Sequence, residues 1–354
     1  MRTLNPRQLA ARVSLLMVAL VVTTVSASAA DVAPSTVSDF VKKSLNQQPR
    51  LLAVQADIAS AEANLRASGQ ALYNPELELA YQNSTDVTKT VGVNQTIDWG
   101  DQKESRTAVA KAELLKIKTQ YAVTAQSFVA NLLIGMAQSQ TTKQLTELSS
   151  KTLQLMQEFQ LVAERRRKAG DLNQIDLNLA HLAYSQALMK HAKILSKASE
   201  ANENLRAIMG AIPAELPALP EQLPAPKLED DLESFLMSLP NIRFSLADVQ
   251  SKKQQITLRR SEQAWDPTIG ITAGKEGNDN LIGLNLRIPL NVRNDFSAEV
   301  DVAYQDMVAS EQRAQQDFRD TKANLIATTE RYQYLLSAWN NWRQNSRESV
   351  EQQL

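Results

Sequence analysis

Leu72-Tyr73-Asn74-Pro75-Glu76-Leu77 and, further on, Ala264-Trp265-Asp266-Pro267-Thr268-Ile269 are the stretches that decide the fold. Each closes a helical run and opens a segment in which apolar and polar residues alternate. Upstream, Gln47-Gln48-Pro49-Arg50-Leu51 answers to Ser238-Leu239-Pro240-Asn241-Ile242. Downstream, Gly92-Val93-Asn94-Gln95-Thr96-Ile97 answers to Gly283-Leu284-Asn285-Leu286-Arg287-Ile288. The offsets are 191 for Pro49 to Pro240, 192 for Pro75 to Pro267 and 191 for Gly92 to Gly283. Three landmarks holding register to within one residue identify an internal duplication.

Both repeats follow one plan. A short helix near Thr36–Asn46 precedes a second from about Pro49 to Leu72, with proline in its first turn, where the missing N–H costs nothing. Two strands follow. Leu77, Leu79 and Tyr81 alternate with polar neighbours, as do Val91, Val93, Ile97 and Trp99, and this period of two is the mark of a strand with one apolar face. The second repeat has Ile269, Ile271 and Ala273, then Leu284, Leu286, Ile288 and Leu290, and the polar segments Ser84–Thr88 and Gly274–Asn280 read as the connecting loops. A proline-free helix from about Asp101 to Lys168 comes next, roughly 100 Å long at 1.5 Å per residue, too long to fold back into a globular core. Gly170 suits a left-handed cap, and Asp171 or Asn173 can cap the following helix, which runs to Met209 before Gly210. That helix and the Pro49–Leu72 helix together nearly equal the long one, so the two are expected to lie end to end beside it. The boundaries are 1–30 for a leader, 31–210 for the first repeat, 211–227 for a linker holding five of the twelve prolines, and 228–354 for the second repeat.

The chain has 354 residues, 38 Lys plus Arg against 39 Asp plus Glu, no cysteine and two histidines. Neutrality argues against nucleic acid as the main partner. Absence of cysteine removes thiolate catalysis, Cys-based metal centres and disulfides. His181 and His191, ten residues apart on one helix, are about 15 Å apart along it and cannot share a metal; they read as surface or interhelix residues. No cofactor site and no catalytic grouping is expected, so the chain reads as a non-enzyme. Arg2, Arg7 and Arg12, an apolar Val13–Val25 and a small-residue end at Ala29-Ala30 form the three parts of an export signal. The apolar run is shorter than the roughly 20 residues a spanning helix needs. Removing these arginines takes the formal charge from −1 to −4. Arg165-Arg166-Arg167-Lys168 reads as cations set against the carbonyl end of the long helix. Trp99 and Trp265 read as membrane-interface rings, Trp339 and Trp342 as packing within the helical bundle.

Tyr73-Asn74-Pro75-Glu76-Leu77, Gln95-Thr96-Ile97-Asp98-Trp99-Gly100, Arg167-Lys168-Ala169-Gly170-Asp171-Leu172-Asn173-Gln174-Ile175-Asp176-Leu177 and Leu286-Arg287-Ile288-Pro289-Leu290, in this order and spacing, resemble the TolC family of outer-membrane efflux ducts. The resemblance implies an α plus transmembrane β fold. In it, long coiled helices form an α-barrel across the periplasm, and four strands per protomer contribute to a twelve-stranded barrel in the outer membrane of a Gram-negative bacterium. It implies a homotrimer acting as a passive conduit of a tripartite efflux or type I secretion system. The partners would be a periplasmic adaptor, also called a membrane fusion protein, and an inner-membrane pump of the RND or ABC type; heavy-metal and drug branches both stay open. Closure by other copies agrees with bilayer physics, since open sheet edges are forbidden in hydrocarbon. Outer-membrane lipid would then see Leu77, Leu79, Tyr81, Leu284, Leu286 and Ile288. By the same resemblance Gly170, Asp171 and Leu172 are adaptor-contact candidates at the periplasmic tip, and Asp176 with Arg167 a candidate entrance network.

By the repeat, a second tip would fall near residue 361, beyond Leu354, so a C-terminally truncated duct is expected. A periplasmic coiled-coil scaffold or adaptor without a channel is the alternative. It accounts for the helices and the leader but not for four strands placed symmetrically in the repeats.

Overall fold

The structure, a computed structural model, describes residues 36–213, 215–220, 223 and 230–351; the leader assigned to 1–30 and parts of the 211–227 segment lie outside the described residues. In chain order the elements are α1 (Val37–Asn46), α2 (Pro49–Ser68), β1 (Glu76–Asn83), β2 (Val87–Thr96), α3 (Gln102–Lys168), α4 (Gln174–Met209), α5 (Leu232–Ser238), α6 (Pro240–Ser261), β3 (Thr268–Glu276), β4 (Asp279–Arg287) and α7 (Ser297–Glu351).

The 67-residue α3 is the spine. Its exposed faces carry same-side pairs one turn apart, such as Gln154 to Glu158 at 3.3 Å and Gln160 to Glu164 at 3.0 Å, which support a helix that buries little of itself. The 20-residue α2 and 36-residue α4 lie antiparallel to it, end to end. Thr107 donates to the Ser68 carbonyl at 3.1 Å and Lys118 pairs with Glu62 at 3.2 Å near the strands. Further along, Ser139 donates to Asn202 at 2.9 Å, and Ser149 and His191 share a hydrogen bond of 2.9 Å. Where the two short helices meet, Phe40 of α1 closes on Phe128, Leu132 and Met136 of α3 and Leu205 of α4, with Leu132 and Leu205 wholly buried. At Gly135 a Cβ would come within 3.2 Å of Leu205 and 3.3 Å of Ile208, so the missing side chain lets α4 approach.

In the second repeat α6 sits between α3 and α7, its buried face carrying the small or slender Ser245, Ala247, Val249 and Ser251 between Ile242 and Ile256. Polar bonds stitch the three helices together. Asp248 receives Lys116 Nζ at 2.9 Å and Ser310 Oγ at 2.7 Å, Asn241 donates to Thr321 at 2.7 Å, and Ser251 donates to Glu113. Burial alone would raise the Asp248 carboxyl, but the Ser310 hydroxyl and the Lys116 ammonium outweigh it and hold its pKa below the usual carboxylate range.

The four strands form one antiparallel sheet in the order β1-β2-β3-β4. Several sequence-based boundaries shift. Val87 and Thr88 belong to β2 rather than to a loop, because a three-residue turn suffices after Asn83. Gly274–Glu276, Asp279 and Asn280 are paired strand, and the second hairpin turns on Gly277-Asn278 alone, with Gly277 at φ 57 in the first central position. The helix α2 ends at Ser68 rather than Leu72, capped at Gly69, and α3 is capped by Asp98 instead of Asp101. The Asp98 carboxylate accepts from Gln102 N and Lys103 N, each at 2.8 Å, while Asp101 is in the left-handed region and makes no side-chain cap. Ile97 and Trp99 therefore fall just past β2. Ile288 falls past β4, since Pro289 restricts the residue before it and has no N–H for a ladder.

Candidate channel wall and helical tip

Residues opposite one another in an antiparallel ladder share a face, and the registers sort this sheet into two. One face is built from the rows Leu77–Val93–Ile271–Leu284 and Leu79–Val91–Ala273–Ile282, with Ile269 and Leu286 below them and Tyr81–Lys89–Lys275–Asn280 above. The other carries Glu76–Asn94–Gly270–Asn285, then Glu78–Gly92–Thr272–Gly283, then Ala80–Thr90–Gly274–Leu281. The large apolar side chains are bare in the single chain: Leu79 is 73% exposed, Ile282 82% and Leu284 79%. A water-facing sheet does not keep such a surface uncovered.

The polar face is the crowded one, the side that must be concave for these strands to close into a barrel. A Cβ on Gly92 would meet Thr272 Cγ2 at 2.6 Å and one on Gly283 would meet Thr272 Oγ1 at 2.7 Å; at Gly270 it would overlap the Asn94 and Asn285 side chains. Glycine at these points makes room for the neighbouring side chains on this face, as strands of a closing barrel require. Lys89 Nζ lies 5.9 Å from the Tyr81 ring at the hairpin end, and Trp99 is 70% exposed at the other. The ten residues of β2 span about 34 Å along the strand, or about 26 Å once tilted by ~40°, close to the ~25 Å apolar band of an outer-membrane barrel. No helix among the described residues is long and apolar enough to cross a membrane.

The root of the sheet is held by one carboxylate. Asp266, 9% exposed, accepts from Tyr73 Oη at 2.7 Å, Gln102 Nε2 at 2.8 Å and Trp99 N at 3.1 Å. Partial burial, then the bond to Asp266 and its charge, push the Tyr73 hydroxyl up to about 12. The protonated hydroxyl is the form that bonds, so its stabilisation is complete below the ordinary tyrosine value near 10 and is lost as pH rises through 12. In an ultraviolet titration one of the seven tyrosines should ionise late, near 12, and Tyr73→Phe should delete that late component. An unchanged titration in the variant would refute the assignment.

At the far end of α3, Gly170 at φ 87 closes a Schellman turn: Asp171 N donates to the Arg166 carbonyl at 2.9 Å and Gly170 N to that of Arg167 at 3.1 Å. Asn173, not Asp171, caps α4, accepting from Asp176 N at 2.8 Å. Arg167 reaches across the turn to the Leu172 carbonyl at 3.3 Å and to Gln174 at 3.4 Å. It does not meet Asp176, whose carboxylate has no hydrogen-bond or ion-pair partner among the described residues and stands in the first turn of α4. Gly170, Asp171 and Asp176 are exposed and Leu172 half-buried. Ile175, 71% exposed, and Leu179, 57% exposed, add an apolar stripe beside the tip that reading by motif passed over. Ile282 was passed over too, though stepping back two residues from Leu284 reaches it.

Residues 40–211 match the family model for outer membrane efflux proteins, and this stretch runs from α1 to the end of α4. Over that stretch the chain is similar to outer membrane efflux proteins. The fold of the chain is similar to that of solved channel structures. The CusC structures, whose subject is folding and transmembrane channel formation, share 16% identity at a TM-score of 0.68, covering 86% of this chain and 78% of that one. The Campylobacter jejuni CmeC outer membrane channel shares 13% at 0.66, covering 84% and 71%. The open state of the Neisseria gonorrhoeae MtrE outer membrane channel shares 16% at 0.67, covering 88% and 76%. No curated protein sequence matches significantly. Both histidines lie between helices as expected, His181 Nε2 being 3.9 Å from Glu164. Trp339 and Trp342 stack on each other at 5.0 Å but stay 49% and 59% exposed, so they are not buried bundle packing within one chain.

Proposed function

We propose that this chain is one protomer of a homotrimeric duct: the outer-membrane channel of a tripartite efflux system, passing cargo driven by an inner-membrane pump. The sheet carries this reading. Its strands of 8, 10, 9 and 9 residues suit a tilted crossing, one face is apolar and bare, the other polar and concave, and β1 and β4 each leave an edge that hydrocarbon cannot tolerate. Closure by further copies satisfies every backbone group. The helix α3, 67 residues and roughly 100 Å long, then reaches across the periplasm with the others beside it, and the turn at Gly170, Asp171 and Leu172 offers the surface for an adaptor. Arg167 braces that turn, and Asp176 is placed for a bond to a neighbouring protomer at the entrance.

The concave face of each chain presents Glu76, Glu78, Glu276 and Asp279 against Arg287. Rings of carboxylates favour cations, so the purified protein in a planar bilayer should conduct, with a reversal potential in a potassium chloride gradient displaced toward potassium. Glu78→Gln together with Glu76→Gln should move it back toward zero. A protein that forms no pores and leaves the membrane in a salt wash would instead be a periplasmic scaffold, and the duct would be withdrawn.

A further inference from the structure

The open edges can be matched to each other in register. The duplication places β4 where β2 stands and β1 where β3 stands. Adding 191 to Val93 gives Leu284, and subtracting 192 from its partner Ile271 gives Leu79. We propose that β4 of one copy pairs antiparallel with β1 of the next with Leu284 opposite Leu79, which sets Arg287 opposite Glu76. The inference rests on the trimeric reading above and specifies its seam.

Independent features agree with this register. It sets Leu286 opposite Leu77 and Ile282 opposite Tyr81, so the apolar rows on the convex face run on unbroken across the seam. On the concave face it sets Asn285 opposite Glu78 and Gly283 opposite Ala80. Glu76 and Arg287 are exposed at opposite edges of the sheet, and neither has an ion-pair partner among the described residues. A one-residue slip would turn an apolar row into the lumen. A two-residue slip would set Arg287 opposite Asn74, or opposite Glu78, which already accepts from Asn94 Nδ2 at 2.8 Å. The roots match as well. Asn74 is the repeat equivalent of Asp266 and Leu290 that of Trp99, and both are exposed in the single chain, ready to repeat across the seam the side-chain-to-backbone bond that Asp266 makes with Trp99 N.

The chain has no cysteine, so paired cysteines report the seam directly. Leu79→Cys with Leu284→Cys in the full chain in outer membranes should oxidise to covalent dimers and trimers on denaturing, non-reducing gels. Leu77→Cys with Leu284→Cys, and Tyr81→Cys with Leu284→Cys, place the side chains at diagonal positions about 7–8 Å apart, against the 3.5–4.5 Å between Cβ atoms of a disulfide, and should cross-link at least about tenfold more slowly. Faster linking in either diagonal pair overturns the register while leaving the trimer standing. No link in any pair from a protein that amine cross-linkers still capture as a trimer overturns the seam; no trimer by either route overturns the duct itself. Reversal of one charge, Glu76→Arg or Arg287→Glu, should lower the fraction of detergent-resistant trimer, and the two together should restore it. A double variant no better than either single one overturns the ion pair.

Discussion

Leu79→Arg should abolish assembly in the outer membrane, whereas Ala80→Arg, one residue along the same strand, should leave it nearly intact. Leu79 is 73% exposed on the convex apolar face, level with Val91, Ala273 and Ile282. Ala80 points to the concave face, in the row of Thr90, Gly274 and Leu281. An arginine on the lipid face of an outer-membrane barrel costs about 2–4 kcal/mol at the mid-plane and less toward the interface, so Leu79→Arg, one row inside the Tyr81–Lys89 level, should cost about 1–3 kcal/mol. Three copies in one barrel raise this to about 3–9 kcal/mol per trimer, comparable with the whole stability of an ordinary fold. On the lumen side the guanidinium stays in water beside Glu78, and the expected cost is under about 1 kcal/mol. Depth supplies a second control. Tyr81→Arg lies level with Lys89, at the interface end of the band, and should cost only about 0–1 kcal/mol. The measurement is the yield of heat-modifiable trimer in sucrose-gradient outer membranes, with refolding into lipid vesicles as the equilibrium check. Equal yields for the Leu79 and Ala80 variants would mean that neither face meets lipid, and the barrel reading would fall.

Much of this was readable before any coordinates, for a reason particular residues make plain. Alternation of Leu77, Leu79 and Tyr81 with polar neighbours is a local signal, and duplication doubled it, so strand identity and facing followed together. The long helix was as plain, because nothing between Gln102 and Lys168 interrupts it and Gly170 ends it. Turn ends were less legible. Gly274, Lys275 and Glu276 look like loop residues, yet they pair with Thr90, Lys89 and Thr88, since the tertiary ladder overrides weak strand propensity. The cap of α3 was hidden because Asp98 acts from beyond the usual cap position, across a Gly100 that also has to clear Ser261 and Ala264. Least visible was Asp266. In the sequence it is only half of an Asp-Pro pair; its three donors come from residues 73, 99 and 102, and only the paired strands bring them to one carboxylate.

That convergence sets the second large expectation: Asp266→Ala should destabilise the protein by about 3–5 kcal/mol, far more than an ordinary surface change. A hydrogen bond to a charged group is worth about 1.5–3 kcal/mol, and three donors lose their acceptor together. The sum is held below a simple total because Tyr73 and Gln102 are only partly buried and recover some water. Asp266→Asn keeps a carbonyl that can accept from Trp99 N and should cost about 1–2 kcal/mol. The first repeat carries asparagine at the matching position, Asn74. Tyr73→Phe alone should cost about 1–1.5 kcal/mol. Combined with Asp266→Ala it should add almost nothing, leaving a coupling of about 1–2 kcal/mol in the double-mutant cycle. The three passages tied by Asp266 are where the sheet joins the helices, so loss of the carboxylate should loosen that joint before it unfolds either part. Hydrogen exchange would then rise first at Trp99 and Gln102, with Leu132 and Leu205 of the helical core still protected. Additive losses from Tyr73 and Asp266, or exchange rising first in the helical core, would mean that the joint is held by packing and that the carboxylate is incidental to it.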